Sequence, residues 1–162
     1  MSRRRQGREL VLGCLYAHFS TGEDPEAIFR VQAGRVTYDA DTLGYAKRLF
    51  LKSVAEADVI DRTIRDRATN WDFSRIAILD RLILRMAICE LLYFKEIPPK
   101  VTMNEAIELA KLFSTERSGQ FVNGVLDAVL NDMKVSGELS KAGRGLFEGQ
   151  PGHHKPRTPA AD

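Results

Sequence analysis

The chain is poor in the residues from which reactive centres are built. Its 162 residues include two cysteines and three histidines. Cys14 and Cys89 each sit inside an apolar helical pattern. Buried free thiols are therefore expected, with no disulfide framework, and a reducing cytoplasm suits them. His18 lies one helical turn after Cys14 and is expected to pack, and His153 and His154 fall near the C-terminus. Two ligands on a face are too few for a metal site, which usually takes three or four, so no metal and no cofactor is expected. No nucleophile stands in a recognisable elbow or triad. The glycines at 143, 145 and 149 have neither a strand before them nor a helix pattern after them, as a phosphate loop requires.

Long apolar runs are also missing. The most apolar stretch, Ile76 to Phe94, carries Asp80, Arg81, Arg85 and Glu90, far from the ~18 uninterrupted residues of a membrane span. Arg3 to Arg5 followed by LVLGCLYAHF imitates an export leader, but Glu9 interrupts it and no A-x-A site follows. A cytoplasmic location is the expectation. No period-two alternation suggests a strand.

What remains is helix. With 44% hydrophobic residues, a domain of this size can bury about two-thirds of its unfolded surface. Six helices are legible from apolar spacing: Arg4–Phe19; a short one behind Asp24-Pro25; a long one from Asp41 or Thr42 to about Ile64; Arg75–Phe94, capped by Ser74 and apolar nearly all round; and a final pair. Asn70 to Ser74, with the only tryptophan, reads as a linker. From Ser136 onward the chain holds five of its twelve glycines and three of its six prolines. It has too little apolar surface to offset ordering entropy. The expected organisation is a helical domain over 1–135 and a disordered tail over 136–162.

The net charge of +2 identifies no partner, but its distribution is uneven. Arg3, Arg4, Arg5 and Arg8 occupy the first eight residues with no acid among them. Cations at a helix start oppose the macrodipole. Replacing Arg4, Arg5 and Arg8 with alanine is thus expected to leave stability equal or slightly higher. Either the terminus is a solvated, frayed end, or it is a phosphate-binding arm, for which arginine's planar fork suits. The last two helices span VTMNEAIELAKLFSTERSGQFVNGVLD. Thr102 and Glu105 are expected to form a capping box, the hydroxyl and the carboxylate satisfying free helix N–H groups. At the second helix start, Gln120 can read base edges, and Phe121 can stack on a base or fill the core. Tyr16 is amphipathic and suits an interface. Asp80, interrupting an apolar helix, must reach solvent, pair with Arg81 or Arg85, or meet a partner.

NEAIELAK and FVNGVLD resemble the NusB family of transcription antitermination factors. So do Arg4-Arg5-Gln6-Gly7-Arg8-Glu9 with Leu15-Tyr16, and the stretch from Trp71 through Asp80-Arg81 to Glu90-Leu91. The resemblance covers about residues 3 to 134. It implies an all-α fold of two packed three-helix subdomains and a protein that is not an enzyme. It further implies binding of the boxA element of ribosomal RNA leader transcripts together with the ribosomal protein NusE, and joining of elongating RNA polymerase with other Nus factors. By the same resemblance Arg4, Arg5, Arg8, Gln120 and Phe121 would contact RNA, and Tyr16 and Asp80 would contact NusE. Two positions depart from the family pattern: Gly7 stands where alanine is usual, and Gly13 where glutamine is. Two other readings stay beside this one. Some ribosomal RNA cytosine methyltransferases begin with a NusB-like domain, and a helical adaptor could bind protein alone.

Overall fold

Short polar residues set where most of the helices begin. The structure, a computed structural model, describes residues 2–68 and 75–137. Ser2 accepts the Arg5 N–H and opens α1, Arg3–Thr21, which closes on Gly22 at φ 68°. That left-handed turn suits glycine, which has no Cβ to clash. Asp24 caps α2, Pro25–Ala33, with proline in the first turn as expected. Asp39 accepts the Thr42 N–H and opens α3, Ala40–Ala55. Helix α4, Ala57–Arg67, follows at once. Then come α5, Ile78–Tyr93; α6, Pro99–Phe113; and α7, Glu116–Ser136, capped by Thr115 and closed on Gly137. No strand occurs among the described residues.

The long third helix expected from the sequence is two helices. The chain leaves helical geometry at Glu56, φ −102° and ψ 18°. The buried positions Ser53, Ile60 and Ile64 nevertheless keep helical spacing across the break, so periodicity alone reads through it. The fourth expected helix starts later than Arg75, at Ile78 behind Ala77. Its expected Ser74 cap, the linker before it and the tail beyond Gly137 lie outside the described residues.

The capping box is a second correction. Helix α6 starts earlier, behind Pro98, so Thr102 stands inside the first turns. Its hydroxyl donates to Glu90 on α5 instead, and Glu105 binds Arg5 on α1. Pro98-Pro99 wins because proline lacks the N–H that a first-turn residue need not donate.

Helices α1, α2 and α3 pack on one another, and α4 to α7 form a second group, so the second subdomain has four helices where three were expected. Helix α5 touches α1, α3, α4, α6 and α7. Leu82, Ile83, Leu84, Met86, Ile88 and Leu91 are buried along it, beside Leu15, Leu49, Phe50, Ile60 and Ile64. Each such side chain contributes roughly 1.5–3 kcal/mol by leaving water. Three charges on α5 each bind a different neighbour. Asp80 accepts from Ser118 of α7, Arg85 grips Asp61 of α4, and Glu90 holds Arg8 of α1. Such pairs are costly to bury but more costly to break, and they fix which helix lies where. No helix among the described residues is long and apolar enough to cross a membrane.

Candidate nucleic-acid interface

The four arginines of the N-terminus meet four different environments. Helix α1 has no acidic residue in its first turn, so its cations add to the positive end of the macrodipole. Arg3 is exposed and lies 3.6 Å from Asp39. Arg4 is exposed, with its guanidinium carbon 4.2 Å from the centre of the Tyr45 ring. Arg5 makes a bidentate pair with Glu105, at 2.8 and 3.1 Å, which raises its pKa and fastens α1 to α6.

Arg8 is a correction to the expected RNA contacts. It is 3% exposed and donates to both oxygens of Glu90, at 3.1 and 2.6 Å. Burial opposes the charge, yet the Glu90 pair outweighs it and the pKa shifts upward. Arg8 holds the fold and has no surface to offer a phosphate. Glu90 also accepts from Tyr45 Oη at 2.5 Å and Thr102 Oγ1 at 2.6 Å. Three elements besides its own thus converge on one buried carboxylate. Sequence reasoning missed this hub, although an acid set among apolar neighbours on the central helix signals a buried partner.

At the start of α7, Gln120 is exposed and Phe121 is half-buried against the core. Phe121 also lines a cleft of about 230 Å³ with Arg75, Arg117, Thr115 and Asp80. Asp80 is 6% exposed, so it does not reach solvent freely, and it pairs with neither Arg81 nor Arg85. One oxygen accepts from Ser118 Oγ at 2.9 Å, and the other, Oδ1, has no hydrogen-bond partner among the described residues. Burial pushes its pKa up, against the pull of the serine hydroxyls. Tyr16 is half exposed on α1.

Gly7 and Gly13 differ. A Cβ on Gly7 would stand 3.1 Å from the Tyr45 ring, whereas one on Gly13 would meet only Gln32 Oε1 at 3.9 Å. Gly7 is the small residue that lets Tyr45 lie against α1. Cys14 and Cys89 are buried free thiols, pushed up to about 12 by burial, and so are held as unreactive neutral groups. His18 Nδ1 lies 3.0 Å from the Glu23 carbonyl oxygen. No cluster of three or more metal-ligating side chains occurs among the described residues.

The model of the NusB family matches residues 5–131. A transcription antitermination protein NusB from Salinibacter ruber is 48% identical over 149 residues, covering 91% of this chain and 92% of that protein. A structure of T. maritima NusB (P3121, form 2) superposes with a TM-score of 0.72 at 37% identity, covering 80% of this chain and 91% of that one. A crystal structure of the antitermination factors NusB and NusE in complex with double-stranded RNA superposes with a TM-score of 0.73 at 29% identity. That match covers 82% of this chain and 99% of the other.

Proposed function

The chain belongs to the NusB family of transcription antitermination proteins, and from that premise we propose that it binds the boxA element of ribosomal RNA leader transcripts jointly with NusE. The bound assembly then joins elongating RNA polymerase and suppresses premature termination. The observation that carries the RNA half is the N-terminal end of α1. It presents Arg3 and Arg4 to solvent on the positive end of a helix without a first-turn acid. Arginine there holds phosphates, while Gln120 and Phe121 at the start of α7 read unpaired bases by hydrogen bonding and stacking. Arg5 contributes from a position shared with Glu105, and Arg8 acts only through the fold.

NusE docks, in this reading, over Tyr16 and the cleft that Asp80 lines. Tyr16 offers an exposed ring with a polar tip. Asp80 lines that cleft with its Oδ1 buried, and acts there by holding Ser118 of α7 in place. The known relative with NusE and RNA in one crystal supports the pairing of these two ligands on one protein. The test is a titration of a boxA-like single-stranded oligonucleotide with and without NusE. Binding should tighten when NusE is present and weaken as salt rises. Absence of binding at low salt in both conditions refutes the RNA role.

A further inference from the structure

Arg4 differs from its neighbours in what holds it. Arg3, Arg5 and Arg8 each lie against a carboxylate, whereas Arg4 rests on an aromatic ring and meets no carboxylate within salt-bridge distance among the described residues. Its guanidinium donors are therefore not taken up by a carboxylate, and its charge reaches Glu96 only beyond salt-bridge distance. An exposed arginine ordinarily loses much rotamer freedom when it grips a phosphate. A ring beneath it removes part of that loss in advance, because the cation is attracted to the ring's negative face.

The ring itself is fixed from every side. Tyr45 is 3% exposed. Its hydroxyl donates to Glu90, its ring centre lies 6.0 Å from that of Phe94 with the planes at 88°, and Gly7 of α1 leaves the space in which it lies. Arg4, Gly7 and Arg8 share one face of α1, and Arg8 also approaches the ring, at 5.6 Å. Donation of the phenolic proton toward a carboxylate enriches the ring in electrons and strengthens its hold on a cation. Beside this seat runs a groove of about 580 Å³ along α3, in which Arg4, Lys47 and Arg48 stand with Asp41.

We propose that Tyr45 is a positioning residue for RNA, holding the Arg4 guanidinium over its ring so that it receives a phosphate of the strand without first being ordered. The proposal rests on the RNA reading above. It ties the buried Glu90 hub to the surface: the same carboxylate that anchors Arg8 orients the ring that carries Arg4.

The test uses the full chain with NusE and a boxA-like single-stranded RNA. Tyr45→Leu removes the ring face, and Tyr45→Phe keeps it while losing the hydroxyl. Both deprive Glu90 of a donor and should lower the melting temperature. RNA affinity should fall about two- to fivefold in Tyr45→Leu, the scale of one exposed cation–π contact, and recover most of that in Tyr45→Phe. Arg4→Ala should cost affinity in wild type and clearly less in Tyr45→Leu. Thr102→Val, which takes another donor from Glu90 and leaves the ring, should lose stability without losing affinity. Affinity that follows stability across the set, or additive losses for Arg4 and Tyr45, overturns the proposal. A readout on the wild-type chain stands even if Tyr45→Leu fails to fold. The Arg4 side-chain protons should be shifted upfield by the ring in the free protein and stay shifted when RNA binds. Loss of that shift on binding means that Arg4 leaves its seat, and the proposal fails. Failure of the wild-type chain to bind RNA at all would instead remove the reading beneath it.

Discussion

Replacing Arg8 with alanine should destabilise the protein severely, although Arg8 belongs to an arm that looks in sequence like a solvated basic terminus. The structure sets the magnitude. The Arg8 and Glu90 side chains are 4% and 1% exposed, and their two hydrogen bonds are 3.1 and 2.6 Å long. Removing the cation leaves a buried carboxylate with Tyr45 and Thr102 still donating but without the Arg8 charge. Breaking a buried pair from one side costs about 3–5 kcal/mol, a large part of the 5–15 kcal/mol that hold a typical domain. For a domain of this size the melting temperature should fall by roughly 10–20 °C. Circular dichroism at 222 nm during heating and urea titration measures it. Arg4→Ala is the internal comparison, since an exposed first-turn cation changes stability by only a few tenths of a kcal/mol. Arg8→Met combined with Glu90→Leu should recover part of the loss, because no unpaired charge remains buried. A melting temperature for Arg8→Ala within about 2 °C of wild type would refute the reasoning. A triple alanine variant of Arg4, Arg5 and Arg8 would consequently confound loss of binding with loss of the fold.

Other outcomes follow from neighbouring features. Gly13→Ala should stabilise by up to about 1 kcal/mol, since the position is exposed and helical; Gly7→Ala should return less, because its methyl crowds Tyr45, and paired thermal melts compare the two. Asp80 has a raised pKa in the folded state, so its contribution is favourable below the unfolded carboxylate value and is lost as pH rises through the folded one. Asp80→Asn should then match or exceed wild-type stability at pH 7, with the advantage narrowing toward pH 4; an advantage that grows in acid contradicts the sign. Tyr16→Asp should leave the melt unchanged, because the side chain is half exposed, and should weaken NusE binding in calorimetry. Deleting residues 138–162 should leave the melt nearly coincident with that of the full chain.

The helices were legible where apolar spacing and a capping residue agree. Asp24-Pro25 at the start of α2 is such a local signal, and the structure keeps it. Glu56 was not legible, because the buried spacing of Ser53, Ile60 and Ile64 runs through the break. Thr102 and Glu105 misled for a different reason. Their spacing fits a cap, but their partners lie 12 and 100 residues away in Glu90 and Arg5, and spacing along one helix carries no trace of such contacts. The arginine arm was found as a group and could not be sorted into a fold anchor, a shared position and exposed cations. That division depends on which acid of α5 or α6 each turn of α1 happens to face.

The most direct measurement of the central claim is fluorescence anisotropy of a labelled boxA-like single-stranded RNA, titrated with the full chain and NusE across a salt series. Binding should be tighter with NusE than without, with a log–log decline with salt of about 0.7 per neutralised phosphate. Arg4→Ala should make that slope shallower by about one phosphate. Binding that is insensitive to salt and to Arg4, or absent at low salt with NusE present, would contradict it.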